Sequence, residues 1–96
     1  MITDKQNTDI IKTLKPYHPS KIGVFGSYAR SEAEKDSDID ILLKTDKKIN
    51  LLELVELERE LSNILGIKVD LVTENSINKH LKPYIQKEVT YILDDE

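Results

Sequence analysis

Hydrophobic and polar positions along this chain switch repeatedly between helical and strand-like spacing, which predicts a domain of mixed helices and strands. Thr3 and Gln6 match a capping box, and apolar residues at helical spacing follow it. Pro16 disfavours the helical conformation in the residue before it, so the first helix is expected to end there. The apolar run Lys21–Phe25 predicts a short buried strand that ends at Gly26.

The middle of the chain predicts a strand, a long helix and a second strand in succession. Residues 38–44 and 67–72 alternate between two sets of side chains, as expected for strands with one face buried. Between them, Asn50 gives a capping signal, and Gly66 suits the end of a helix over residues 50–65. The predicted apolar stripe of this helix consists of Leu51, Leu54, Val55, Leu57, Leu61, Ile64 and Leu65.

The remaining segments complete an alternating order of elements. Ser27 is a favourable N-cap for a brief helix to about Ser31, and residues 76–88 are expected to be helical with a break or start at Pro83. Residues 89–93 predict a fourth strand at an edge. Because the long central helix can serve as a crossover, the strands before and after it are expected to be parallel neighbours. The predicted fold class is α/β (α+β), a small mixed sheet of about four strands with helices mainly on one face.

Three acidic side chains are predicted to converge on the polar face of this sheet. Asp38 and Asp40 are two residues apart, and side chains at that spacing in a strand point to the same face. Asp70 occupies the matching polar position in the neighbouring strand. No other element is predicted to cover this face, so it is expected to be open to a ligand.

A second feature, Gly26-Ser27, lies ten residues before Asp38. A Gly-Ser turn after a strand can offer backbone N–H groups and a hydroxyl to phosphate. Phosphates beside paired carboxylates normally need a divalent cation between them, and Mg²⁺ prefers oxygen ligands. The sequence therefore predicts a site for a nucleoside triphosphate with Mg²⁺.

Composition narrows the class of protein. The 96 residues are expected to form one domain, residues 1–96, with 39% hydrophobic and 33% charged residues. The absence of cysteine excludes disulfides and thiolate chemistry, and is consistent with a cytoplasmic location. No signal peptide or membrane-spanning run is evident. The net charge of -4 argues against a broad basic surface for nucleic acid.

The signature of the DNA polymerase β-like nucleotidyltransferase superfamily is similar to two runs of this chain, Gly26-Ser27-Tyr28-Ala29-Arg30-Ser31-Glu32-Ala33 and Ser37-Asp38-Ile39-Asp40. In particular, the chain resembles the minimal nucleotidyltransferases (MNT proteins), which consist of the catalytic domain alone. The chain departs from many of these proteins at Ser31, where they have glycine.

The resemblance implies a role for each candidate residue. Asp38, Asp40 and Asp70 would be the catalytic carboxylates of the chain and the ligands of two Mg²⁺ ions. Gly26, Ser27 and Arg30 would contact the β- and γ-phosphates of ATP.

The resemblance also implies a type VII-like antitoxin that transfers AMP from ATP to a tyrosine hydroxyl of a HEPN-domain ribonuclease toxin. The length of the chain is consistent with this, because it leaves no residues for an acceptor-binding domain, and a partner protein or a homo-oligomer would have to complete the cleft. Two alternatives stay open: a non-catalytic antitoxin that neutralises its toxin by binding, and a nucleotidyltransferase that acts on a small molecule or RNA.

Overall fold

The computed structural model describes residues 2–30, 32, 34 and 37–95. Within them, a four-stranded mixed sheet carries two α-helices on one face, as the sequence predicts, and a third helix lies outside the core. None of the helices there is long and apolar enough to cross a membrane. The elements are α1 (Asp4–Leu14), β1 (Lys21–Phe25), β2 (Ile39–Lys44), α2 (Leu51–Leu65), β3 (Val69–Thr73), α3 (Lys82–Glu88) and β4 (Thr90–Asp94), with 3₁₀ turns at Lys15–Tyr17 and Glu74–Ser76.

The strand order β3-β2-β1-β4 places β2 and β1 at the centre of the sheet. β2 and β3 are parallel and are joined by α2, whereas β1 is antiparallel to both β2 and β4. The predicted crossover and the predicted edge strand near the C-terminal end are therefore both confirmed. The core lies between the sheet and the two helices α1 and α2, and its fully buried side chains are Ile10, Leu14, Ile22, Ile39, Ile41, Leu43, Leu61 and Leu71.

The central helix α2 begins and ends where its sequence predicts. Asn50 and Glu53 form a capping box, and Gly66 ends the helix in the left-handed conformation, with φ of 69°. The predicted apolar stripe is too wide, however. Leu57 and Leu61 are buried, but three of its other members are exposed because they lie away from the line that faces the sheet: Leu51, Val55 and Ile64.

Two further expectations need correction. The brief helix predicted after β1 is a series of turns over residues 26–30, in which the Arg30 N–H donates to the Gly26 carbonyl at 3.1 Å. The next bond, from the Glu32 N–H to the Ser27 carbonyl, spans five residues instead of four, so the helical pattern does not continue. A single turn cannot offset the entropic cost of starting a helix. Ser31, where that helix was expected to end, lies outside the described residues. The helix predicted over residues 76–88 forms only as α3. Its predicted start at Pro83 is confirmed, whereas residues 77–81 before it are not helical.

Candidate active site

Asp40 and Asp70 meet on the sheet because of the register between β2 and β3. The two residues are direct partners in the parallel ladder, and their side chains are close enough for Asp70 to raise the pKa of Asp40. Side chains of paired residues in neighbouring strands point to the same face. The predicted convergence of these two carboxyl groups is therefore present.

The electrostatics of this pair are unfavourable for two negative charges. Burial, followed by the charges of Asp70 and Asp38, raises the pKa of Asp40 from its ordinary value of 3.8 to about 6. A buried carboxyl close to other carboxylates holds its proton because the charged form is poorly solvated and repelled. Such crowding of carboxylates is typical of a site that receives a cation.

Asp38 lies at the side of this pair, directly before β2. Its carboxylate is 3.8 Å from Nζ of Lys68, and the backbone N–H of Ile39 donates to the Lys68 carbonyl at 2.9 Å. Asp38 is close enough to contribute to the raised pKa of Asp40. Across residues 2–30, 32, 34 and 37–95, however, no three acidic, histidine or cysteine side chains are grouped tightly enough to hold one metal ion.

Gly26 lies against the carboxyl group of Asp40 at the end of β1. Its neighbour Phe25 is the cross-strand partner of Asp40, and a Cβ added to Gly26 would overlap Oδ2 of that aspartate. The positive φ of Gly26 is also a conformation that residues with a Cβ rarely adopt. This position therefore needs glycine for two independent reasons, and the turn that follows is held directly beside the carboxylates.

The turn after β1 contains the other predicted contacts to phosphate. Ser27 is half-buried next to Gly26, and its carbonyl accepts the N–H of Glu32 at 2.9 Å. Arg30 is exposed, and its guanidinium contacts the carboxylates of Glu88 at 2.9 Å and Glu32 at 3.2 Å. Hydrogen bonds to these two carboxylates raise the pKa of Arg30. The turn that begins at Gly26 thus carries one cation, which is paired with two carboxylates.

Glu88 also belongs to this cluster, although it is not among the residues that the sequence predicts for the site. Its Oε1 accepts the N–H of Gly26 at 3.0 Å, and its Oε2 accepts a hydrogen bond from Nη1 of Arg30 at 2.9 Å. The three residues are brought together by the antiparallel pairing of β4, which follows Glu88, with β1, which precedes Gly26. No local spacing or composition in the sequence points to this contact.

Comparisons with known proteins identify the class of this site. The nucleotidyltransferase domain family matches residues 5–92. Since this match covers most of the chain, the chain belongs to that family. A protein of Methanocaldococcus jannaschii that is named provisionally as a protein adenylyltransferase is 52% identical over 77 residues, which are 79% of each chain. The protein adenylyltransferase MntA of Thermococcus cleftensis is 44% identical over 72 residues, which are 75% of this chain and 73% of the relative.

Solved structures agree with this assignment. A chain of a toxin–antitoxin crystal structure with AMP-PNP has a TM-score of 0.84 and 28% identity, and the match covers 92% of this chain and 73% of the other. A chain of the tri-AMPylated Shewanella oneidensis HEPN toxin in complex with its MNT antitoxin has a TM-score of 0.79 and 25% identity, with coverages of 97% and 73%. The predicted polymerase β-like fold and the resemblance to MNT proteins are confirmed.

The contact between Gly26 and Asp40 predicts unequal effects of alanine at two glycines. Gly66→Ala should cost about 1 kcal/mol of unfolding free energy, because Gly66 has a positive φ but open space around it. Gly26→Ala should cost roughly 2 to 4 kcal/mol, because the overlap with Asp40 adds to the same backbone strain. Urea denaturation of the two variants measures the difference. Equal losses would contradict the close approach of Gly26 and Asp40.

The raised pKa of Asp40 predicts a pH-dependent stability in the metal-free protein. A carboxyl with a higher pKa in the folded chain stabilises the fold below pH 3.8, and this contribution is lost as the pH rises through about 6. Asp40→Asn keeps the shape of the side chain without its charge. After discounting for partial solvent exposure, we expect this variant to be more stable than the wild type by about 1–2 kcal/mol at pH 8.

This advantage should shrink as the pH falls through about 6 and disappear below about pH 3, where Asp40 is protonated in both the folded and the unfolded chain. Urea denaturation in the presence of a chelator, from pH 3 to pH 8, measures the difference in stability between the two proteins. Asp46→Asn, at an exposed position beyond the other end of β2, is the matched control and should show no such trend. An Asp40→Asn variant that is less stable than the wild type at pH 8 would show that the negative charge is well accommodated.

Proposed function

We propose that this chain is an MNT-type antitoxin that transfers AMP from ATP to a tyrosine hydroxyl of a HEPN-domain toxin. The observation that carries this proposal is the paired carboxyl groups of Asp40 and Asp70 beside the Gly26–Arg30 turn. Its relatives support the acceptor, because a matching structure contains an AMPylated HEPN toxin with its MNT antitoxin. The choice of ATP as the nucleotide is supported by a matching toxin–antitoxin structure that contains AMP-PNP, an analogue of ATP.

The donor set suits Mg²⁺. The candidate ligands Asp38, Asp40 and Asp70 supply only carboxylate oxygens, which hard cations prefer, and the raised pKa of Asp40 indicates a site short of positive charge. These residues would hold one or two ions, with Asp38 leaving Lys68 to join the other two. When bound, Mg²⁺ supplies the positive charge that lets a triphosphate lie beside three carboxylates.

The protein groups contribute positioning and proton transfer. The N–H of Gly26, the hydroxyl of Ser27 and the guanidinium of Arg30 would bind the β- and γ-phosphates, which become the leaving pyrophosphate. The carboxylate of Asp70 would orient the acceptor hydroxyl and accept its proton. The hydroxyl oxygen then bonds to the α-phosphorus while the bond from that phosphorus to the pyrophosphate oxygen breaks. AMP remains on the acceptor and pyrophosphate leaves.

The acidic charge of the chain favours a protein acceptor over RNA. With a net charge of -4, the chain lacks the excess of basic residues that proteins use to bind nucleic acid nonspecifically. Use of ATP and a cysteine-free sequence both agree with a cytoplasmic location. Two other functions, a non-catalytic antitoxin and an enzyme that acts on a small molecule, give different results in the following test.

The test incubates the chain with Mg²⁺, ATP and a HEPN-domain toxin encoded beside it. ATP labelled at the α-phosphate should label the toxin with release of pyrophosphate, whereas ATP labelled at the γ-phosphate should leave it unlabelled. Asp40→Asn should reduce the rate at least about 100-fold, because it removes a charge that acts on the reacting phosphate. Asp46→Asn is the matched control and should transfer at the wild-type rate.

Two outcomes would contradict the proposal. The first is an unlabelled toxin with active wild-type protein and ATP present. The second is full neutralisation of the toxin by the Asp40→Asn variant, which would indicate an antitoxin that acts by binding alone. Release of pyrophosphate with a small molecule or RNA, but not with the toxin, would assign a different acceptor.

A further inference from the structure

The carboxylate of Glu88 is bound in the way that a phosphate would be bound. One of its oxygens accepts the backbone N–H of Gly26 at 3.0 Å, and the other accepts a hydrogen bond from the guanidinium of Arg30 at 2.9 Å. Backbone N–H groups and guanidinium groups are the donors that proteins use for phosphate as well as for carboxylate. The two donors on Glu88 are the same groups assigned above to the β- and γ-phosphates.

The backbone donor of Gly26 cannot serve both anions at once. The N–H of Gly26 has a single hydrogen, and it points to Oε1 of Glu88. A phosphate oxygen close to Gly26 would also lie against the negative charge of Glu88. We infer that Glu88 occupies the place of a terminal phosphate of the nucleotide and must leave Gly26 and Arg30 when the triphosphate binds. This inference rests on the proposed function and adds a residue that sets the affinity for the nucleotide.

Glu88 is attached to the rest of the fold by few buried contacts, so that a phosphate can replace its carboxylate at Gly26 and Arg30. Glu88 is the last residue of α3, and none of the seven residues of this helix is buried. Tyr84, one turn earlier, has 72% of its surface exposed. The ion pair between Glu88 and Arg30 is itself half-exposed, with 30% and 45% of the two side chains accessible. Ion pairs at such positions are weak, so a triphosphate with several charges can displace the carboxylate.

A purely structural role for Glu88 makes the opposite prediction. If Glu88 holds the turn and Arg30 in their binding geometry, its removal should weaken nucleotide binding. If Glu88 competes with the nucleotide, its removal should strengthen binding. The competition should also depend on the phosphates beyond the first, because AMP lacks the groups that Gly26 and Arg30 would bind.

The test measures binding of AMP-PNP and of AMP, each with Mg²⁺, by isothermal titration calorimetry. Glu88→Gln should bind AMP-PNP about tenfold more tightly than the wild type, since a charge-assisted contact no longer has to be broken, and AMP within about twofold. Glu88→Asp keeps the charge but shortens the side chain, and should also bind AMP-PNP more tightly. A thermal melt confirms that each variant is folded.

Glu32→Gln is the matched control. Glu32 also contacts Arg30, at 3.2 Å, but its side chain is 64% exposed and no contact joins it to Gly26 in the part of the chain that the structure describes. This variant should bind both nucleotides within about twofold of the wild type.

Three results would overturn the inference: weaker binding of AMP-PNP by Glu88→Gln, an equal gain for AMP and AMP-PNP, or the same gain in Glu32→Gln. Each would assign Glu88 a structural or general electrostatic effect while leaving the proposed function intact. Absence of AMP-PNP binding by the wild type and all variants would overturn the proposed function as well.

Discussion

The parallel pairing of β2 with β3 is the constraint on which the candidate active site depends. Asp40 and Asp70 are direct partners in this ladder, and a slip of one residue would move one carboxyl group to the core face. The helix α2 fixes the pairing in two ways. It provides the crossover, and its side chains bind the outer edge of β3: Glu58 accepts the N–H of Leu71 at 2.7 Å, and Ser62 accepts the N–H of Val69 at 3.0 Å.

The same register makes the site electrostatically costly in the absence of a cation. Asp40 is brought close to Asp70 and Asp38 in a partly buried position, and its pKa is raised accordingly. Burial of the apolar core offsets the unfavourable free energy of these crowded carboxylates. Functional sites commonly lower the stability of a protein in this way. Glu88 and Arg30 form a second charged group at Gly26, so that acidic and basic side chains meet at one turn.

Local signals in the sequence were sufficient for the parts of the fold that local physics determines. The ends of α2 follow from the Asn50 capping box and the left-handed Gly66, and the shared face of Asp40 and Asp70 follows from the period of a strand. The short helix predicted after Gly26 was wrong because a favourable N-cap cannot compensate for the entropic cost of starting a helix of only one turn.

Contacts that depend on tertiary structure could not be predicted from the sequence. Glu88 is 62 residues from Gly26 and 58 from Arg30, and only the pairing of β1 with β4 brings them together. Glu58 looks like one more charged residue on an exposed helix face until the edge of β3 is placed beside it. The position of Asp38, turned to Lys68, likewise depends on where the segment before β3 lies.

The central claim is that Asp40, Asp70 and Gly26 surround one site for a divalent cation and a nucleotide. The most direct measurement is paramagnetic broadening of backbone amide signals in an NMR spectrum, with Mn²⁺ in place of Mg²⁺ and AMP-PNP present. The account predicts strong broadening at these three residues and sharp signals at Asn63, on the exposed side of α2. Broadening centred elsewhere in the chain, or none at saturating Mn²⁺ and AMP-PNP, would contradict it.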